Sequence, residues 1–401
     1  MESEVKTGPV RVAIVDNALA FGGTLTVIRN LVKHLSPDAV RISVITACPD
    51  PFIDPADLSH VTVHICRPYA NYQRTDRWYK AIHKLTLPGR ARRLLEQSLV
   101  ALGLIANLAY SLRLSALLLK DRAQVVHFNQ GAPDMLWVSK ILRVPAVLHL
   151  HGLLPVPLPR SMKSALDHVR AFVAISTCVH DAARAAGVAE SRLHRIPNFV
   201  SDLPAQAPCP LPDSAVVGIF GRVIPWKGQK EFIAAFQIVA GKFPDARALI
   251  VGDAADGDRS YMEECVAAVE RLGLSGKVTF AGMVSDVATY YRQCSVVVHA
   301  SISPEPFGMV IIEAMAEGRP LVVSALGAGA DIVLDGGAGL VADPRDSGAL
   351  AEKICVLLAN RDLAKKLGQR GFEEVQRRYD PRVAARSFQN LYRSLASSPD
   401  T

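Results

Sequence analysis

Apolar residues fall along the chain in two patterns: short unbroken runs, and longer stretches in which they recur every three or four positions. Short runs bounded by turn residues predict buried strands, and the longer period predicts helices with one packed face. In the first half the runs at 10–16, 40–46, 61–66, 125–128, 146–150 and 171–175 predict strands. Leu25, Ile28, Val32 and Leu35 share one face of a helix over 24–35, a second helix covers 134–141, and helical material fills roughly 75–119. In the second half, strands at 216–220, 247–251, 277–280, 295–299, 321–323 and 339–341 alternate with helices over 228–241, 261–272, 286–294 and 308–317. Helices over 347–359, 362–378 and 381–396 close the chain.

Strands separated by helical connections imply a parallel, doubly wound sheet, and the pattern runs through twice. Between the two passes, Pro197, Pro204, Pro208, Pro210 and Pro212 crowd a short stretch that predicts an inter-domain linker over 197–212. The expected organisation is α/β: a Rossmann-like domain over 1–196, a second over 213–378, and a helix over 379–401 packing back on the first. The two domains are expected to face each other across a cleft lined by the carboxyl ends of both sheets.

Composition narrows the class. Half of the 401 residues are hydrophobic and 21% are charged, as in ordinary globular α/β proteins. Seven scattered cysteines without a C-x-x-C pair point to reduced thiols rather than a disulfide or zinc framework. Met1–Lys6 lacks the basic start and apolar core of a signal peptide, so a cytoplasmic protein is expected. Charge is uneven: residues 1–200 hold 24 Lys and Arg against 14 Asp and Glu, and the remainder 21 against 24. The excess is densest over 67–93, where Tyr69, Tyr72, Trp78 and Tyr79 are interleaved with the basic residues. The apolar stretch 94–119 that follows is interrupted by Glu96, Gln97 and Arg113, which excludes a spanning helix. Residues 67–119 then read either as a solvated basic face and a buried helix, or as a surface that docks on anionic lipid at the inner face of a membrane. Nucleic-acid binding is not expected, because no recognition motif accompanies the charge.

The chemistry concentrates in the stretch from Ser303 to Val323. Pro304 and Pro306 hold the chain extended, Gly308 opens a helix, and Gly318 with Pro320 ends it before the next strand. A helix N-terminus at the carboxyl end of a strand suits an anionic ligand, since free amides and the helix dipole point at it. Glu305 and Glu313 flank that start, so the stretch reads as a site for a hydroxyl-rich phosphorylated molecule. Arg222 and Lys227, five apart between a strand and a helix, can converge on one point. In the first half, Gly22 and Gly23 sit between the first strand and its helix, where absent side chains either let the backbone approach phosphate or simply make a tight turn. His151 follows the strand 146–150 at its carboxyl end and reads as a site residue or a satisfied loop histidine, while His149 reads as core. Asp256-Gly-Asp258 matches a metal-binding D-x-D in form but lies in a polar loop, and no metal role is assigned to it.

Three blocks of the second half resemble the retaining, nucleotide-sugar-dependent glycosyltransferases of family 4, glycosyl transferases group 1, which have the GT-B fold. They are Phe220-Gly-Arg-Val-Ile-Pro-Trp-Lys-Gly228, Val278-Thr-Phe-Ala-Gly282 with Tyr290-Tyr291, and the Glu305-to-Glu313 unit followed by Gly336-Gly-Ala-Gly-Leu-Val-Ala-Asp-Pro344. In the first half only the glycine loop and His149-Leu-His-Gly152 match. The resemblance implies a nucleotide-sugar-binding second domain and an acceptor-binding first domain. It implies that Arg222 and Lys227 hold the donor diphosphate, that amides at Gly308, Met309 and Val310 add to them, and that Glu313 takes ribose hydroxyls and Glu305 those of the sugar. Phe307 and the backbone at Met283 complete the implied donor site, with Gly22, Gly23 and His151 from the first domain. The donor would be a UDP- or GDP-sugar and the acceptor a glycan or lipid-linked molecule, with neither metal nor cofactor required. Phe199 stands where that family commonly has glycine, and Asp331 where it has glutamate, and no role is carried to either. A nucleotide-sugar 2-epimerase on the same architecture and a non-catalytic sugar-nucleotide-binding protein are the alternative functions.

If the basic segment docks on lipid, replacing Arg90, Arg92 and Arg93 by Ser weakens co-sedimentation with anionic liposomes at low salt. Unchanged co-sedimentation rejects the docking reading.

Overall fold

The computed structural model describes residues 8–18, 23–48, 60–67, 89–129, 133–158, 160–203, 207–254 and 256–397. The chain divides into two compact units. The first contains residues 1–174, 180–196 and 385–401, and the second contains 175–179 and 197–384.

The first unit is built on seven strands: β1 (Val10–Asp16), β2 (Val40–Thr46), β3 (Val61–Ile65), β4 (Val125–Phe128), β5 (Ala146–Leu150), β6 (Ala171–Ala174) and β7 (Leu193–Arg195). They pair in the order β3-β2-β1-β4-β5-β6-β7, all parallel. Helices cover both faces of such a sheet, so its strands are continuous apolar runs, as in Val12–Val15 and Val125–Val126. The edge strand β3 departs from this, with Val63 and Ile65 exposed. The second unit holds β8 (Val216–Phe220), β9 (Arg247–Val251), β10 (Val278–Gly282), β11 (Val296–His299), β12 (Leu321–Ser324) and β13 (Gly339–Ala342). Their order is β10-β9-β8-β11-β12-β13, again all parallel. Each unit is therefore Rossmann-like, with a topological switch point between β1 and β4 in one and between β8 and β11 in the other.

Some elements lie beyond those read from the sequence. Strand β7 has three residues, one of them buried. The helix Thr177–Ala185 starts where Ser176 Oγ accepts from the Val179 amide at 3.1 Å. The helix Ala328–Gly336 contains Gly329 and Gly336, poor helix formers, and is held by tertiary packing of Ile332 and Val333. Of the helical material expected over 75–119, residues 75–88 lie outside the described residues, and Gly89–Lys120 is one helix. No helix among the described residues is long and apolar enough to cross a membrane.

The proline-rich stretch differs from a free linker. Phe199 and Val200 are buried, the Val200 amide donates to the Tyr379 carbonyl at 3.1 Å, and the described residues 197–203 and 207–212 belong to the second unit. Prolines leave carbonyls in this stretch without a regular partner, and two arginines take them up. Fully buried Arg319 donates to the carbonyls of Cys209 and Pro210, and Arg361 to those of Leu211 and Pro212. The last helix, Pro381–Ser397, passes from the second unit to the first at Ala385, rather than lying wholly on one.

Within the first unit that helix buries Phe388 and Tyr392 against two histidines. The Phe388 ring stacks 5.4 Å from His127 and lies 5.3 Å from His149, and Tyr392 Oη is 2.6 Å from His127 Nδ1. Burial pushes His127 down to about 3, and pushes His149 well below the ordinary histidine range. Both are neutral when folded, whereas the unfolded chain takes up protons below about pH 6.5. Stability is therefore full above that pH and falls as the pH drops through it, by up to about 1.4 kcal/mol per pH unit for each histidine. Denaturant unfolding at about pH 7.5 and about pH 5.5 checks this. The wild type loses stability at the lower pH, and His149→Gln shrinks that loss by roughly 1 kcal/mol or more. An equal loss in the variant sinks the assignment.

Candidate active site

Two loops of the second unit leave the carboxyl ends of the neighbouring strands β8 and β11. The loop after β8 carries Gly221 to Gly228 and is tied down by its backbone. Gly221 donates to Val251, Val223 to Asp253, and Gln229 Nε2 to the Arg222 carbonyl. Gly228 has φ +75°, and a Cβ there would overlap the Ala300 carbonyl, so only glycine lets this loop lie against the chain leaving β11. The loop after β11 runs through Glu305 to Gly308 and opens the helix Met309–Ala316. Gly308 has φ +91°, and a Cβ there would press on Ile311 and approach His299 Nε2.

These constraints bring Lys227 to Glu305. Lys227 Nζ donates to Glu305 Oε1 at 2.5 Å and lies 4.4 Å from the centre of the Trp226 ring. The other oxygen, Oε2, accepts from His299 Nε2 at 2.6 Å and from Ser301 Oγ at 2.7 Å. Glu305 is 8% exposed. Burial alone would raise its carboxyl, but the hydrogen bond and charge of His299, and then those of Lys227, outweigh it and hold the group well below the usual carboxylate range. The backbone of Glu305 is fixed as well, since its carbonyl accepts from the Ala328 amide at 3.0 Å.

Glu313 sits in a different environment. Its Oε2 accepts from Tyr291 Oη at 3.0 Å, and Tyr291 stacks on Phe220 at 3.9 Å. Burial raises the Glu313 carboxyl, against the hydrogen bond from Tyr291 and the charge of Lys227. Arg222 is exposed and forms no ion pair among the described residues. It follows Gly221, whose missing Cβ lies 4.0 Å from Val310 at the start of the helix Met309–Ala316. The amides of Met309 and Val310 precede the first intrahelical acceptor and are available to a ligand. Lys227, Glu305, Gly308, Met309, Val310 and Glu313 thus come together at the switch point of one sheet, with Arg222 exposed on the adjoining loop. An anion placed there meets Lys227 and a helix N-terminus, while two carboxylates stand ready to accept from hydroxyls.

Among the other expected positions, Phe307 departs from its expected place. Phe307 turns its ring into the core, edge-on to Tyr379 at 6.0 Å, because an aromatic ring on a loop flanked by Pro306 and Gly308 has that apolar pocket to fill. Its side chain is packing, not a donor contact. Met283 lies on the loop after β10 with 84% of its surface exposed, which leaves its backbone as the feature of interest. Gly22 lies outside the described residues. Gly23 begins the helix Gly23–His34, and a Cβ there would meet nothing within 4 Å, so packing does not demand glycine. His151 stands in the first unit just beyond β5, with Nε2 2.6 Å from Asn129 Oδ1. The sequence reading missed His299 and Ser301. The i, i+2 spacing that puts both on one side of the chain leaving β11 was the available signal.

A depressed carboxyl binds fewer protons folded than unfolded, so its contribution is full above about pH 4.5 and is lost as the pH falls below that. Acid unfolding of Glu305→Gln lacks the part of the transition that this group contributes. Lys227→Met, which leaves the carboxylate with only His299 and Ser301, lowers stability at neutral pH by about 3 kcal/mol. A Lys227→Met chain as stable as wild type in denaturant titration shows that the pair carries no such weight.

Two family models match the chain: Glycosyltransferase Family 4 over residues 21–202 and Glycosyl transferases group 1 over residues 210–374. A phosphatidyl-myo-inositol mannosyltransferase from Mycobacterium leprae is 35% identical over 176 residues, 43% of this chain and 45% of that protein. A lipopolysaccharide core biosynthesis mannosyltransferase from Rhizobium leguminosarum is 30% identical over 185 residues, 46% of this chain and 52% of that one. The chain spans about half the length of these curated relatives. In fold, it is similar to HepE from Anabaena, solved in complex with UDP, at TM-score 0.73 and 22% identity over 96% of this chain and 100% of the other. A glycosyltransferase from Rickettsia africae has TM-score 0.77 at 17% identity, covering 98% of this chain and all of its own. With a Rossmann-like sheet in each unit and both family models in chain order, this chain belongs to the group 1 glycosyltransferases of family 4, with the GT-B fold.

Proposed function

We propose that the protein is a retaining glycosyltransferase that moves a hexosyl unit from a UDP- or GDP-sugar to a hydroxyl of a glycan or lipid-linked acceptor. The observation that carries this reading is the cluster at the β8/β11 switch point. Arg222, Lys227 and the helix start at Met309 offer positive charge and free amides beside two carboxylates of opposite tuning. The names of the two relatives agree with it, one being a phosphatidyl-myo-inositol mannosyltransferase and the other a mannosyltransferase of lipopolysaccharide core biosynthesis.

Breaking the bond between a sugar and a diphosphate leaves negative charge on the phosphate oxygen. Arg222, Lys227 and the amides of Met309 and Val310 stabilise that charge without a metal. Glu305 accepts from a sugar hydroxyl through the lone pair that Oε1 has left beyond Lys227, and Glu313 accepts from the ribose through the oxygen that Tyr291 leaves free. Retention follows from attack on the face the phosphate leaves. The acceptor oxygen bonds to the anomeric carbon as the bond to phosphate breaks, and the acceptor proton passes to the departing phosphate oxygen. A lipid-linked acceptor would bring the protein to the cytoplasmic face of a membrane, where the basic residues over 67–93 would meet anionic lipid.

A thermal-shift screen with UDP-, GDP- and ADP-sugars selects the donor, because a ligand of the folded state raises the melting temperature. Arg222→Ala abolishes most of that shift. Incubation with the selected donor alone then yields free nucleoside diphosphate and sugar slowly, and faster with an acceptor glycan present. An epimerised donor, or binding with no turnover across an acceptor panel, overturns the proposal.

A further inference from the structure

The first unit holds a second buried polar chain, at the switch point of its own sheet. Asp16 ends β1, Asn129 follows β4, and His151 follows β5, so three strand ends contribute one residue each. Asp16 and Asn129 are buried, at 1% and 0% exposure. His151 Nε2 lies 2.6 Å from Asn129 Oδ1, and Asn129 Nδ2 donates to Asp16 Oδ2 at 2.5 Å and to the Thr24 carbonyl at 3.3 Å. The second Asp16 oxygen accepts from the Ala18 amide at 2.7 Å.

The orientation of the Asn129 amide follows from its neighbours. The Thr24 carbonyl can only accept, so the group facing it and Asp16 is the NH₂, and the group facing His151 is the carbonyl oxygen. An amide oxygen cannot donate, so the histidine nitrogen opposite it carries the hydrogen. His151 is thereby held with hydrogen on Nε2 and a lone pair on Nδ1. Burial pushes the ring down to about 4, so it stays neutral and Nδ1 keeps its lone pair near neutral pH. The groups around it agree. His149 lies 4.1 Å away ring to ring, His127 is a further neighbour on β4, and both are held uncharged by burial. Asp16 is screened from the ring by Asn129, and burial raises its carboxyl.

We infer that Asn129, anchored by Asp16, is a positioning residue that fixes the Nε2–H tautomer of His151 and so presents Nδ1 as the hydrogen-bond acceptor for a substrate hydroxyl. The inference rests on the proposed transferase function and on the place in its site that the family resemblance implies for His151. A carbonyl oxygen at Asn129 cannot stabilise an imidazolium as a carboxylate would, so the ring binds and orients a hydroxyl rather than storing a proton. That division suits a reaction in which the departing phosphate takes the acceptor's proton.

The tautomer is read directly on the wild-type chain by ¹⁵N–¹H correlation of its histidine ring nitrogens, with His151 assigned by comparison with His151→Ala. The expected pattern is a protonated Nε2 and a bare Nδ1 at about pH 7.5, and hydrogen on Nδ1 overturns the inference without any variant at Asn129 having to fold. In Asn129→Ala the ring shows both tautomers, and kcat with the donor selected by thermal shift falls at least about tenfold with little change in donor KM. Asp16→Asn leaves one oxygen for two donors, the Ala18 amide and the Asn129 NH₂, so the wild-type tautomer is held in part and kcat falls between wild type and Asn129→Ala. If His151→Ala abolishes turnover while Asn129→Ala changes neither tautomer nor rate, the positioning role fails alone. If His151→Ala turns over like wild type, the catalytic reading of His151 fails, and the function of the relay with it.

Discussion

A carboxylate buried to the depth of Glu305 must be met by donors, or it destabilises the fold around it. Its donors come from two strand ends that are neighbours in the sheet but distant in sequence: Lys227 after β8, and His299 and Ser301 at the end of β11. Much of the local backbone serves that convergence. Gly228 lets the Lys227 loop settle on Ala300, and Gly308 turns the chain into the helix Met309–Ala316 directly after the carboxylate has been placed. The same pairing leaves Lys227 with two N–H groups uncommitted to Glu305. It also leaves Glu305 with one lone pair on Oε1, so the ion pair remains able to bind a ligand on its open side.

Glu305 and Glu313 are alike in sequence and unlike in place. Glu305 faces a cation and two further donors and is held ionised, whereas Glu313 receives one neutral hydrogen bond from Tyr291 and is pushed toward its protonated form by burial. Two carboxylates driven apart in this way can suit an acid and a base. Here the anionic member is locked to Lys227, and the raised one lies in the second turn of the helix Met309–Ala316. Both are better placed to hold hydroxyls than to move protons.

The alternation of apolar runs and amphipathic stretches was enough to read two parallel sheets, because strands buried on both faces can be little else. The loop after β8 with Lys227 and the helix opened at Gly308 were legible for a related reason, since spacing within one loop or helix is a local property. What escaped is non-local. Nothing in the run from Pro197 to Pro212 announces that Arg319 and Arg361 will take its carbonyls, so it read as a linker although it is packed. Phe307 read as a site residue by position, but its ring is decided by Tyr379, far along the chain. Asp16 ends one strand and Asn129 follows another, and only strand order makes them neighbours.

Strand order also explains why both units bury polar chains where they do. At the switch point, the connections from β1 and β4, or from β8 and β11, leave in opposite directions, so no helix covers the sheet there and a crevice remains. Residues at those strand ends are partly enclosed by the sheet yet not sealed by apolar packing. A polar group in that position is free to face a ligand on one side, provided its other hydrogen bonds are satisfied from within. Asp16–Asn129–His151 and Lys227–Glu305–His299 are two solutions to the same requirement. The first uses an amide and keeps its histidine neutral, and the second uses a cation and keeps its carboxylate charged. The choice of partner, more than the choice of fold, separates a neutral polar unit from a charged one.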